Sequence, residues 1–137
     1  MILLSAASEV ALLRRQNTDY ADGLLCLPGG HVEPGEELLE ALLREVKEEL
    51  DLSLERDECK LTVVGHRAPE MLNDIECLDF YFLAISWHGW PSLYEPSQAS
   101  ELVWHNPTEL PDDVIPYVAR AIDASRQGMR YLAEGWT

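Results

Sequence analysis

Three glutamates at positions 45, 48 and 49 have the types and the spacing best suited to chemistry in this chain. Helix-forming residues surround them, and helical positions three or four apart lie on one face. Three carboxylates on one face repel each other by about 0.2–0.5 kcal/mol per pair, and a bound cation reverses that cost. Hard cations such as Mg²⁺ and Mn²⁺ select oxygen ligands. The spacing is therefore compatible with a divalent-metal site, and the alternative is a solvated acidic helix face.

A loop and a helix must position these carboxylates. Pro28-Gly29-Gly30 and Pro34-Gly35 flank a short segment, and such clusters of Pro and Gly predict a loop. The helix follows, with Glu36 and Glu37 expected in its first turn, where the helix dipole favours acids. Its apolar stripe predicts the core face and consists of Leu39, Leu42, Leu43, Val46 and Leu50.

The complete spacing resembles the Nudix box, the signature of the Nudix hydrolases. An isolated Glu-x-x-Glu-Glu would be interpreted as a solvated face, but the longer pattern favours the metal site. It runs from Gly30 through five residues to Glu36, then through seven residues to Arg44-Glu45-Val46-Lys47-Glu48-Glu49, and ends at Leu52. Asp51 departs from the pattern, because the family usually has a glycine there. That glycine ends the helix in a left-handed conformation, which Asp tolerates better than most residues.

The resemblance implies a function and a set of site residues. Nudix hydrolases cleave a nucleoside diphosphate linked to another moiety, using divalent metals bound by the box glutamates. By resemblance, Glu45, Glu48 and Glu49 are catalytic metal ligands, the cofactor is Mg²⁺ or Mn²⁺, and the Gly30 carbonyl is a further ligand. Glu36 and Arg44 are implied orienting residues. Arg44 lies one turn before Glu48 and can donate a charge-assisted hydrogen bond to it.

Several residues outside the box are candidates for the remaining chemistry. Glu95 follows the long apolar strand, in a layout similar to that of small triphosphate-hydrolysing relatives, and is the candidate general base and additional metal ligand. An ordinary loop acid is an equal alternative for Glu95. Glu101 matches weakly the acids that read a base edge in related enzymes. Either Arg14 or Arg15, at the end of a strand, could reach a substrate phosphate or simply be solvated. The tryptophans and tyrosines are interpreted as core residues.

Composition limits the classes of partner. A formal charge of −15 disfavours nucleic acid polymers and anionic membranes. A phosphorylated substrate would also need a metal to screen this charge, so the expected partner is a small nucleotide, bound by a monomer or homodimer. Cys26, Cys59 and Cys77 show no metal-ligand spacing and predict buried thiols in a reducing compartment. Because Met1-Ile2-Leu3-Leu4 lacks the length and basic flank of a signal peptide, we expect a cytoplasmic protein.

The 137 residues are expected to form a single domain, 1–137. Alternation and apolar runs predict strands at 1–6, 10–15, 24–27, 61–67, 77–87 and 101–105. The 77–87 strand is the longest and is expected inside a sheet. A helix is predicted from 114 or 115 to 127, ended by Gly128, and the tail 129–137 is expected to pack back on the body. These elements predict an α/β sandwich with a mixed sheet, which is also the Nudix-type α/β/α fold that the resemblance implies.

Two functions are compatible with the pattern. The first is metal-dependent hydrolysis of a phosphoanhydride bond in a small nucleotide. The second is a non-catalytic nucleotide- or metal-binding module on the same fold. Intact Arg44, Glu45, Glu48 and Glu49 favour the enzyme, because a decayed site usually loses a carboxylate first.

Overall fold

The computed structural model describes residues 1–70, 72–94 and 96–137. Their strands and helices follow in chain order: β1 (Ile2–Leu3), β2 (Val10–Arg15), β3 (Leu25–Cys26), α1 (Leu38–Leu50), a 3-10 helix (Arg56–Glu58), β4 (Lys60–Arg67), β5 (Cys77–Ala84), β6 (Ala99–His105), α2 (Pro116–Gln127) and β7 (Tyr131–Glu134). In these ranges, no helix is long and apolar enough to cross a membrane.

The strands form two sheets. One is mixed, in the order β1-β5-β4-β7, with β1 parallel to β5, β4 antiparallel to β5, and β7 parallel to β4. The second is antiparallel, in the order β3-β2-β6. The mixed sheet and the interior place of β5 agree with the sequence prediction. The second sheet was not foreseen, nor was β7, although the tail does pack back as expected.

The two helices cover opposite sides of this sandwich. The burial of β2 shows that its sheet is covered on both faces, because four successive residues of the strand are buried. Ala11 and Leu13 join the cluster around α1, whereas Val10 and Leu12 join the cluster around α2. Alternate side chains of a strand point to opposite faces, so a strand covered on both faces is apolar throughout. The α/β/α fold class is thereby confirmed.

Helix α1 begins later than the sequence predicted. The Glu37 side chain accepts hydrogen bonds from the backbone N–H groups of Leu39 and Glu40, at 3.0 and 3.3 Å, and is therefore the N-cap. Glu36 and Glu37 thus precede the first turn. On the core face, Leu42, Val46 and Leu50 are buried, and the other two predicted members are partly buried.

Several other boundaries and environments differ from the predictions. β1 is limited to two residues, and β5 ends at Ala84 because its partner strands end there: β4 begins at Lys60, opposite Leu83, and β1 pairs no further than Ala84. β5 is eight residues long, no longer than β4. The assignment of the tryptophans and tyrosines to the core is wrong for four of them, which are exposed: Trp90 (86%), Tyr94 (63%), Tyr131 (57%) and Trp136 (48%). The three cysteines are only partly buried.

Asp51 has the left-handed conformation that the sequence predicted. Its φ and ψ are 51° and 30°, and its N–H donates to the Lys47 carbonyl at 3.0 Å. The Asp51 carboxylate also pairs with the Lys47 ammonium one turn earlier, on the exposed side of the helix. The helix therefore ends where the family's glycine would end it, with a small backbone strain partly offset by an ion pair.

We expect Asp51→Gly to raise the free energy of unfolding by about 0.5 kcal/mol. Glycine removes the Cβ strain at a left-handed position, worth about 0.5–1 kcal/mol, while loss of the surface ion pair costs about 0.3–0.5 kcal/mol. Asp51→Asn is the matched control, because it tolerates the same conformation without the charge, and it should lower stability by a few tenths of a kcal/mol. Denaturant titration measures both. A lower stability for Asp51→Gly than for Asp51→Asn would contradict the strain argument.

Candidate active site

The Arg44 guanidinium holds together the carboxylates of the box. Its Nε and Nη2 atoms donate to the two carboxylate oxygens of Glu36, at 2.7 and 3.0 Å. Nη1 donates to Glu45 at 2.7 Å and to Glu48 at 3.3 Å. Nη2 also donates to the His31 carbonyl at 3.2 Å, which ties the loop to the helix. The expected contact with Glu48 is present, but it is the longest of the set.

Charge explains why this network is firmly held. The hydrogen bonds to Glu36 and then Glu45 raise the pKa of Arg44 above its usual range. The pKa of Glu36 is lowered, first by Arg44 and then by the Glu33 N–H, which donates to it at 3.0 Å. Arg44 and Glu36 therefore both stay charged, and their two parallel hydrogen bonds fix the orientation of the guanidinium. Glu36, which precedes the helix, positions Arg44 in this way.

Glu49 lies apart from the Arg44 network. Its Oε2 accepts a hydrogen bond from the Gly29 N–H at 2.8 Å, which joins the last turns of α1 to the start of the loop. Gly29 has a φ of 150°, a conformation that favours glycine. Glu49 also borders a cavity of about 30 Å³, the size of one water, with Leu13, Arg15, Thr18, Cys26, Gln98 and Ala99.

Gly30 is in close contact with Glu45. A Cβ built at Gly30 would overlap the Glu45 carboxylate and would lie 2.7 Å from its Oε2 atom. Only a residue without a side chain allows the backbone to approach this carboxylate so closely. The Gly30 backbone and the Glu45 carboxylate therefore lie side by side where the loop meets the helix.

The donor set suits a hard divalent cation. Glu45, Glu48 and Glu49 offer carboxylate oxygens on one helix, and Gly30 brings backbone against Glu45. As the side chains stand, no three His, Cys, Asp or Glu residues within 1–70, 72–94 and 96–137 converge enough to hold an ion. The reason is local, because Arg44 and the Gly29 N–H already bind these carboxylates. The four residues would hold the cation.

A cleft of about 440 Å³ opens beside the box loop, with residues of β5 along it. Exposed apolar side chains border it, with Val32 48%, Leu78 59% and Phe80 40% exposed. Polar residues also line it, namely Arg15, Tyr20, Arg67, Asn73, Asp74, Asp79 and Tyr117. An apolar wall next to hydrogen-bonding groups is typical of a small-molecule site, and the flat face of a nucleobase would suit it.

Arg67 anchors the polar part of the cleft. It is 5% exposed and donates to both oxygens of Asp74 at 2.6 Å and to Asp79 at 2.9 Å. Its guanidinium carbon lies 3.9 Å from the centroid of the Tyr117 ring. Asp74 also accepts N–H bonds from Glu70 and Ile75, at 3.0 and 2.8 Å. Burial by itself would raise the pKa of Asp74, but Arg67 and these N–H groups lower it overall.

The residues predicted outside the box have different outcomes. Glu95 lies outside the described residues. Glu101 pairs with Arg14 and does not line the cleft. Arg14 is also bound to Asp113 at 2.7 Å, whereas Arg15 does line the cleft. Sequence reasoning missed the Arg67 cluster, because its members are spread over two strands and a loop with no motif.

The sequence matches the NUDIX domain family over residues 1–124. The chain belongs to the NUDIX domain family. The human 8-oxo-dGDP phosphatase NUDT18 is 35% identical over 112 residues, which are 80% of this chain and 32% of that protein. The Bos taurus m7GpppN-mRNA hydrolase NUDT17 is 42% identical over 66 residues, which are 47% of this chain and 22% of that protein. This Nudix chain thus spans about a third or less of either relative.

Solved structures support the same fold. The crystal structure of the MutT NUDIX hydrolase from Burkholderia pseudomallei superposes with a TM-score of 0.73 at 26% identity. The match covers 88% of this Nudix chain and 93% of that one.

We expect Gly30→Ala to disturb metal binding much more than stability. The new Cβ displaces the Glu45 carboxylate, which is the flexible end of a side chain, so the free energy of unfolding should fall by less than about 1 kcal/mol. Mn²⁺ affinity, measured by electron paramagnetic resonance, should fall by about tenfold or more. Gly65→Ala is the matched control, since its Cβ would meet Tyr81 at an ordinary 3.5 Å. Equal Mn²⁺ affinities in the two variants would contradict the role of Gly30.

We expect Asp74→Asn to lower the free energy of unfolding by about 3 kcal/mol at pH 7, because it leaves the buried Arg67 short of one anionic partner. The folded-state pKa of Asp74 is below the unfolded value of about 3.9, so its stabilising effect is complete above about pH 5 and is lost as the pH falls. The difference between wild type and variant should therefore shrink at pH 3. Asp123→Asn, in an exposed pair with Arg126, should cost under about 0.5 kcal/mol at either pH. A pH-independent difference for Asp74→Asn would argue against this linkage.

Proposed function

We propose that this Nudix domain hydrolyses a phosphoanhydride bond in a small guanine nucleotide, with a divalent cation held by Glu45, Glu48, Glu49 and Gly30. The observation that carries the proposal is the Arg44-centred carboxylate network, packed against Gly30 beside a cleft of about 440 Å³. The named relatives act on 8-oxo-dGDP and on m7GpppN-mRNA, and both names specify a modified guanine base. Guanine nucleotides are therefore the first class to test.

The bound cation, Mg²⁺ or Mn²⁺, would neutralise phosphate charge and activate water for attack on phosphorus. Some screening of this kind is needed, because a chain with a formal charge of −15 repels a polyphosphate. The oxygen-only donor set favours Mg²⁺ or Mn²⁺ over Zn²⁺.

The chain's own residues prepare the site. Glu36 fixes Arg44, and Arg44 in turn fixes the carboxylates of Glu45 and Glu48 along the helix. These hydrogen bonds limit the orientations of the Glu45 and Glu48 carboxylates before a cation binds. Cation binding would compete with Arg44 for Glu45 and Glu48, so the guanidinium would keep Glu36 as its permanent partner.

The apolar border and the volume of the cleft favour a substrate with a flat base and the size of a mononucleotide. The border of Val32, Leu78 and Phe80 offers a surface for the flat face of a base, and the volume of the cleft suits a mononucleotide. The negative charge disfavours a long nucleic acid, so free nucleotides are preferred over capped RNA. We propose Glu95 as the general base on its position in the sequence.

A panel of nucleotides tests the function directly. We expect release of phosphate or pyrophosphate from one of dGDP, dGTP, their 8-oxo forms or a capped oligonucleotide, with Mg²⁺ or Mn²⁺ required and EDTA inhibitory. Binding without turnover of any of them would instead support a non-catalytic module. Full activity of EDTA-treated protein would exclude the metal role.

We expect Glu48→Gln and Glu49→Gln each to reduce kcat by about 10²-fold or more, because each removes a negative oxygen from the cation site. Glu48 is nearly half exposed, so its variant should keep the wild-type melting temperature within a few degrees. Glu40→Gln is the control, since Glu40 is an exposed glutamate on the same helix. Glu95→Gln in the same assay should lower kcat by about 10²–10⁴-fold if Glu95 is the base. Equal rates for Glu40→Gln and the box variants would disprove the assignment.

A further inference from the structure

One face of the mixed sheet carries two rows of paired side chains across β5, β4 and β7. Residues that pair directly on neighbouring strands lie on the same face of the sheet. The rows are Phe80, Val64 and Tyr131 in one case and Leu78, His66 and Ala133 in the other. The register shift between β4 and β5 lies between Leu61 and Val63, outside both rows. The two rows therefore form one regular surface.

This surface is open to solvent. Four large side chains on it are between 40% and 59% exposed, namely Leu78, Phe80, Tyr131 and Trp136. Trp136 belongs to the surface because its ring lies against His66, with the two centroids 4.6 Å apart, and its Nε1 donates to the His66 carbonyl at 3.0 Å. Phe82, further along β5, is buried in the cluster around α1. Helix α1 therefore covers one end of this face and leaves the two rows uncovered.

The exposed apolar area is large enough to mark an interaction site. A large side chain carries about 150–250 Å² of surface, so four that are about half exposed offer roughly 400 Å². Single exposed apolar residues are ordinary, but a contiguous patch of this size is often functional on a small protein. A stable dimer buries about 800 Å² per chain, as an apolar core with a polar rim. The patch is therefore sufficient for the core of a small interface.

The charge of this surface differs from that of the whole chain. The chain has 25 Asp and Glu residues against 10 Lys and Arg residues, yet the six positions of the rows include no acid and one histidine. Asp79 and Glu134, on the same strands, point to the other face, where arginines bind them. A second copy can approach the surface without placing carboxylates directly opposite each other. The formal charge of −15 disfavours anionic membranes and nucleic acids as occupants.

The rows are complementary to themselves. β4 lies between β5 and β7, so the smaller Val64 occupies the middle of a row that has Phe80 and Tyr131 at its ends. A two-fold axis parallel to β4 would place Phe80 opposite the partner's Tyr131, and Leu78 opposite the partner's Trp136. Sheets commonly pack face to face with their strands nearly aligned, about 10 Å apart. Two-fold dimers are also the commonest assemblies of identical chains.

We propose that this face binds a second copy of the chain, in a two-fold dimer whose Leu78 and Phe80 pack against the partner's Trp136 and the partner's Tyr131. Leu78 and Phe80 also border the cleft, so the dimer narrows the cleft on that side. The inference does not depend on the proposed function, because association can be measured without substrate or metal.

Sedimentation equilibrium tests the proposal over protein concentrations of about 1–500 µM. We expect wild type to dimerise with a Kd of about 1–100 µM, because the apolar area is modest. Tyr131→Thr and Leu78→Thr should each raise this Kd by about tenfold or more, since each removes a large side chain from the core of the interface. Trp90→Thr is the matched control, because it removes an exposed aromatic side chain outside the two rows, and its Kd should equal that of wild type.

The salt dependence gives an independent outcome. Two chains that each carry a formal charge of −15 repel each other, and added salt screens this repulsion while leaving apolar contacts in place. Raising NaCl from about 0.05 M to about 0.5 M should lower the Kd by about 3- to 10-fold. Weaker association at high salt would indicate an interface of ion pairs and would overturn the inference.

A second measurement uses wild-type protein and does not depend on the variants folding. The indole N–H signals of tryptophans are resolved in heteronuclear NMR spectra, and dilution from about 500 to about 20 µM separates a dimer of the expected affinity. We expect the Trp136 signal to change with concentration and the Trp90 signal to stay constant. A monomer at every concentration refutes the proposal. So does a dimer that leaves the Trp136 signal unchanged, or one that Trp90→Thr weakens as much as Tyr131→Thr does.

Discussion

The bidentate bond between Arg44 and Glu36 is the interaction on which the geometry of the site depends. Glu36 belongs to the loop and Arg44 to the helix, so their pairing fixes one relative to the other. The same guanidinium then directs Glu45 and Glu48, and its bond to the His31 carbonyl holds the loop backbone. In an acidic protein this single cation reduces the repulsion among the surrounding carboxylates, in the position where a divalent ion would do so more strongly.

A second arginine plays a comparable part at the polar region of the cleft. Arg67 is almost fully buried. Its ion pair with Asp79 connects β4 to β5, and its ion pair with Asp74 holds the loop between these two strands. The site at Arg44 is partly exposed and suits exchange of ligands, whereas Arg67 and Asp74 are buried and joined by two hydrogen bonds, which suits a rigid wall. The Arg67 cluster lines the cleft directly, whereas the Arg44 network meets it through the backbone of the box loop, at Gly30 and His31.

The position of β5 explains why the cleft exists. β1 pairs with Leu83 and Ala84, and among residues 1–70, 72–94 and 96–137 no other strand pairs along that edge of β5. Side chains of both faces, such as Phe80 and Asp79, therefore border the open space next to the box loop. The open edge of β5 and the box loop together border the cleft.

The sequence alone determined the box, the helix that carries it, its left-handed end at Asp51 and the α/β class, because these depend on local spacing, helix periodicity and turn chemistry. It also predicted most strands, whose apolar patterns are strong. Tertiary structure decided the rest. The separation of Arg14 from Arg15, the burial of Arg67 with Asp74 and Asp79, the exposure of Trp90 and the strand β7 all depend on which residues distant in the sequence meet in space. A side chain's partner, and hence its role, is set by those long-range contacts, which no local pattern encodes.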